Sequence, residues 1–141
     1  NDTIYQTWGQ VFFNYGVDLV TESDSHTVKT TFPIRPTTAP GHDEGFVIDE
    51  DRGTVYIGEG CWGAPLRGNN DDKSWTQASG SFNQFKLIHL DNKQMTIRTV
   101  KVDSQSSVSE LKLENRFDIP KNLELWSEGL VKLVSRDYGR R

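Results

Sequence analysis

Ile4, Trp8, Val11, Phe12 and Tyr15 recur at three- and four-residue steps, which predicts an N-terminal helix that buries these side chains along one face. Thr3 and Gln6 have the spacing of a capping box, and Gly16 is the residue type most often found just past a helix C-terminus. Val17, Leu19 and Val20 then form a short apolar run with β-branched residues, so the order is helix, tight connection, strand. Lys29 to Phe32 also has strand character, which Pro33 and Pro36 end. After a turn-forming stretch from Pro36 to Gly45, Thr54 to Ile57 reads as a short buried strand. It runs into Gly58-Glu59-Gly60-Cys61-Trp62-Gly63, where three glycines in six residues imply close backbone approach or unusual dihedrals.

Residues 64 to 81 read as a long polar loop rich in Asn, Asp, Ser and Gly. Phe82 to Leu90 and Gln94 to Val102 are the clearest strands, joined by Asp91-Asn92-Lys93 as a hairpin loop. Ser104 to Asn115 fits a short helix, and Leu123 to Trp126 and Leu130 to Val134 fit two further strands around Glu128-Gly129. One helix and about six strands, without an internal repeat, predict an α+β fold: an N-terminal helix followed by a mainly antiparallel sheet.

At 141 residues the chain is expected to form a single region with a real core, although only 34% of it is apolar. Seven Phe and four Trp must therefore supply much of the buried surface. The net charge of −4 argues against a nucleic-acid surface, and no segment has the apolar length of a membrane span or the pattern of a signal peptide. Asn1 lies directly against the capped helix, which reads as an excised piece of a longer polypeptide. Cys61 is the only cysteine, so an internal disulfide and a thiolate zinc cluster are excluded.

The residues best suited to chemistry are in Ser23-Asp24-Ser25-His26, where a carboxylate and an imidazole stand two positions apart on the loop leaving the first strand. In open α/β sheets ligands bind outside the carboxyl ends of strands, which is where this pair is expected. Its plainer reading is a structural turn with Asp as a cap. His42 beside Asp43 reads first as a solvated turn, His89 as a half-buried strand histidine, and Asn69-Asn70-Asp71-Asp72 as a solvated loop without EF-hand spacing. Glu59 reads as a turn residue between glycines, and Trp62 and Trp75 flank the polar loop as anchors or as stacking surfaces for a ligand.

Helix, then G-V-D-L-V, then a histidine block, then T-F-P-I resembles the last metal-binding block of the calcineurin-like metallophosphoesterases, particularly those similar to purple acid phosphatases. In that family the segment usually reads V-D-L-V, two residues, G-H-x-H, a few residues, then T-Y-P-I. T-V-Y-I-G-E-G resembles the family's later strand ending in a G-D-G turn, and S-F-N-Q-F-K-L-I-H-L with M-T-I-R-T-V resembles its closing hairpin. The family-like part is 1–103, with 104–141 as a C-terminal extension.

The resemblance implies a metallophosphoesterase-type β-sandwich with flanking helices, and a phosphate-ester hydrolase with a metal pair of Fe, Zn or Mn. His26 matches the family's second histidine and Asp24 replaces its first, so these two are the implied metal ligands. Glu59 stands where the family usually has an Asp near the substrate cleft, and with it Trp62, as a stacking surface, and His42, as a ligand or a residue behind one, are the candidate substrate-side residues. About six or seven ligands are needed to hold two metals, and the family's earlier G-D and G-N-H-E blocks do not occur in this sequence. The implied partners are thus the N-terminal remainder of the enzyme and a phosphate-ester substrate, with the isolated chain inactive; a secreted or periplasmic location follows from the resemblance alone. Two other classes stay open: a noncatalytic carbohydrate- or protein-binding β-rich module using Trp62, Trp75 and Trp126, and an assembly element whose sheet edge pairs with another chain.

Overall fold

The computed structural model describes residues 2–58, 60–69, 71–102 and 123–135, with the backbone alone at 2–6. Within them the chain is mostly β-sheet with one short helix. It divides into two compact units, 1–81 and 82–141. No helix among the described residues is long and apolar enough to cross a membrane.

The first unit opens with helix α1, Asp2–Asn14. Its last turn closes as a Schellman motif: Val17 N donates to Phe12 O at 2.9 Å and Gly16 N to Phe13 O at 3.1 Å, with Gly16 at φ 66°. Thr3 and Gln6 lie where only the backbone is described, so their capping bonds fall outside the described residues. The buried face differs from the expected one. Trp8 is 57% exposed, Tyr15 83%, and Val11 also faces water, whereas Gly9 and Phe12 point inward. A Cβ on Gly9 would come within 3.0 Å of the Phe46 ring, so the helix approaches the core through its smallest residue. The packed side is therefore turned by roughly one residue, about 100°, from the apolar stripe.

Strand β1, Leu19–Thr21, pairs in parallel with β5, Val55–Gly58, in the register Leu19↔Val55, Val20↔Tyr56, Thr21↔Ile57. β2, Val28–Thr31, runs antiparallel to β5 on one side and to β6, Thr76–Gly80, on the other, giving the order β1-β5-β2-β6. A separate ribbon pairs β3, Ile34–Pro36, with β4, Phe46–Ile48. β6 corrects the expectation of one polar loop over 64–81: T-Q-A-S-G lacks apolar alternation, but an edge strand is held by its backbone ladder and needs none. Ile34, Phe46, Tyr56 and Trp75 form the core beneath α1, with Phe12 and Val20 packed against them.

The second unit is an antiparallel sheet of β7, Gln84–Leu90, β8, Gln94–Lys101, and β9, Glu124–Val134, in that order. The expected hairpin at Asp91-Asn92-Lys93 is present, with the Asp91 carboxylate accepting from the backbone N of Lys93 and Gln94. Where two strands were expected around Glu128-Gly129 there is one, interrupted by a bulge: Ile97 pairs Val131 but Thr99 pairs Trp126. Gly129 sits in that bulge, where a Cβ would meet the Trp126 ring at 2.3 Å. The helix expected over Ser104 to Asn115 lies outside the described residues.

Candidate functional site

The Asp24/His26 loop leaves the C-terminal end of β1 and re-enters the sheet as β2, the placement the sequence predicts. It is held by the segment that follows β5. His26 Nδ1 is 2.9 Å from the Pro65 carbonyl oxygen, Arg67 N donates to His26 O at 3.1 Å, and Arg67 Nη1 donates to Asp24 O at 3.3 Å. The buried Cys61 thiol donates to Thr27 O. Asp24 at φ 91° and His26 at φ 59° adopt left-handed conformations that non-glycine residues rarely take, and such strain persists only where the surroundings fix it.

Glycine spacing provides that fixing. A Cβ on Gly58 would lie 2.4 Å from Glu22 O, and one on Gly60 would lie 2.9 Å from Asp24 N. The glycine-rich segment therefore lets two backbones press together, as its composition implies. Glu22 N donates to Ile57 O at 2.8 Å, which extends the β1–β5 ladder to the start of the loop.

The other residues singled out from the sequence lie on separate elements of the chain. Trp62 is 82% exposed on the segment that staples it. His42 belongs to the turn before β4, where its Nδ1 accepts from Gly45 N at 3.0 Å, so it organises that turn. Glu59 lies outside the described residues. His89 is half-buried on β7 and its Nδ1 accepts from Arg98 Nη1 at 3.0 Å. Among the described residues no three His, Cys, Asp or Glu side chains are grouped to hold a metal ion. Asp24 and His26 are thus a pair of potential ligands on one strained loop, and they do not complete a cation site with the described residues.

A second feature, not anticipated from the sequence, lies between α1 and the sheet: a cavity of about 420 Å³. Its apolar wall is a chain of five rings. Trp8 stacks on Phe12 at 6.1 Å, Phe12 meets Tyr56 at 6.4 Å, Tyr56 meets Phe46 at 6.4 Å, and Phe46 meets Trp75 edge-on at 6.1 Å. Trp75 is fixed by Nε1 donating to Asp43 O at 2.9 Å. The polar side carries an ion triad, in which Lys29 Nζ lies 3.3 Å from Glu22 and 4.0 Å from Asp71 while sitting 6.0 Å from the centre of the Trp75 ring. Lys73 pairs with Glu44 at 3.2 Å, and that contact raises the Lys73 pKa. Burial, with the Glu22 charge added, pushes the Tyr56 phenol up to about 12, so it remains a hydrogen-bond donor at any ordinary pH.

Of the residues singled out from the sequence Trp75 lines this cavity, and a further signal is Lys29, a charged residue inside an otherwise buried strand, facing the same side as Thr31. Its carboxylate partners stand seven and forty-two positions away, beyond any local pattern. Compared with family models, characterised proteins and solved structures, the chain matches none.

Proposed function

We propose that this chain is the C-terminal part of a metal-dependent phosphoesterase and contributes the last ligand loop of its metal centre. The observation that carries the reading is the bond between His26 and the Pro65 carbonyl. A carbonyl only accepts, so Nδ1 holds the proton and Nε2 keeps the lone pair that a metal needs; backbone carbonyls orient ligand histidines in this way. The site of the loop, at the C-terminal end of a parallel strand and pressed against a glycine-rich turn, supports the same reading.

His26 fits a metal-ligand role, and Asp24 offers carboxylate oxygen either as a second ligand or as an orienter of a neighbouring one. The remaining ligands then come from polypeptide that precedes this chain in the whole enzyme, and the isolated chain does not turn over substrate. A pair of Fe, Zn or Mn ions held there supplies Lewis acidity and a hydroxide nucleophile for a phosphate ester. Within this chain, His26 fixes one corner of that centre, and the Pro65 and Arg67 bonds hold the loop in its strained form. Trp62, with Glu59 and His42, is assigned to the substrate side.

The test is metal analysis and aryl-phosphate hydrolysis with the full-length enzyme, comparing His26→Ala and Asp24→Ala with the parent. His26→Ala is expected to lower metal content and to reduce hydrolysis by about 100-fold or more, and Asp24→Ala by about 10- to 100-fold. Unchanged metal content together with unchanged hydrolysis in both variants removes the reading.

A further inference from the structure

We propose that the cavity between α1 and the sheet binds an uncharged, hydroxyl-rich ring, a mono- or disaccharide. The inference stands apart from the metal reading, because it rests on the aromatic wall and on the ion triad rather than on His26.

Volume, wall and charge each restrict the occupant. About 420 Å³ is within the range of small-molecule sites. The exposed indole of Trp8, stacked on Phe12, offers a flat apolar face at the rim against which the C–H face of a sugar ring can lie. The charged groups lining it are three carboxylates, Glu22, Glu44 and Asp71, and two ammonium groups, Lys29 and Lys73, beside the hydroxyls of Ser25, Thr31 and Tyr56.

A cationic ligand is disfavoured because Lys29 already occupies the favourable position over Trp75 and between the two inner carboxylates. An anionic ligand meets the carboxylate majority, and Lys73 is already paired with Glu44. A polyol avoids both conflicts. Its O–H groups donate to Glu22 and Asp71, its oxygens accept from Lys29 and from the protonated Tyr56 phenol, and no net charge is brought in. The side chains of Glu22, Lys29 and Asp71 are only 19%, 15% and 22% exposed, so the ligand has little water left to displace from them.

The test uses isothermal titration and saturation-transfer NMR of the full chain with methyl α-glucoside, methyl α-galactoside, methyl α-mannoside and cellobiose, with choline and phenylacetate as charged controls. At least one neutral sugar is expected to bind with a dissociation constant of about 1 mM. Trp8→Ala and the near-isosteric Asp71→Asn are each expected to weaken it by about tenfold, and His89→Ala, on a strand of the second unit, to leave it unchanged. The folded state of each variant is checked by circular dichroism, and if Trp8→Ala does not fold, Asp71→Asn decides. Absence of sugar binding, tighter binding of choline or phenylacetate, or parental sugar affinity in the folded variants overturns the proposal.

Discussion

His26 Nδ1 and the carbonyl oxygen of Pro65 stand 2.9 Å apart, across 39 residues of sequence. This one bond decides which imidazole nitrogen carries the proton. The expected outcome is that long-range ¹H–¹⁵N NMR of the folded chain shows Nδ1 protonated and Nε2 unprotonated in the neutral ring. The opposite tautomer would mean that Nδ1 does not donate to Pro65, and the loop would need another account.

Gly60 has φ 78°, and its Cα points at the Asp24 backbone. Gly60→Ala combines an unfavourable dihedral with a Cβ 2.9 Å from Asp24 N, neither of which a side-chain rotation relieves. It is expected to cost about 1–3 kcal/mol in urea unfolding and to shift the NMR signals of residues 23–26. Gly68→Ala, where an added Cβ meets nothing within 4 Å, is the control and should stay within about 0.5 kcal/mol of the parent.

Tyr56 links stability to alkaline pH. Its phenol ionises at about 12 when folded and near 10 when unfolded. Between those values the unfolded state has released a proton that the folded state still holds, so folding stability declines as pH rises through that window. A shift of this size corresponds to about 2–3 kcal/mol, fully present below pH 10 and gone above pH 12. Tyr56→Phe should flatten this limb of the stability profile measured by chemical denaturation; an unchanged slope would show that other groups set it.

Local signals in the sequence located the elements that repeat or punctuate. Gly16 ends α1, Asp91-Asn92-Lys93 turns the β7–β8 hairpin, and the glycines of 58–63 bring two backbones together. What the sequence hid was direction and distance. The apolar stripe of α1 suggested a buried Trp8 and Tyr15, but the core lies behind Gly9, whose missing side chain lets the Phe46 ring approach and carries no hydrophobic signal at all. β6 was illegible because its place in the sheet comes from backbone bonding to β2, to which composition is blind. The same holds for the candidate sites. Asp24 and His26 are near neighbours and were visible as a motif, whereas Glu22, Lys29 and Asp71 meet only through the tertiary fold.

The parallel pairing of β1 with β5 has a kinetic consequence. Leu19 meets Val55 only after the intervening strands have been looped out, a contact of long sequence separation whose closure entropy must be met before it is rewarded. The bond from His26 to Pro65 spans still more chain and depends on both partners being in place. The strained loop is consequently among the last parts to organise as the chain folds, and among the first to be released by partial opening that leaves the hairpin of β7 and β8 intact.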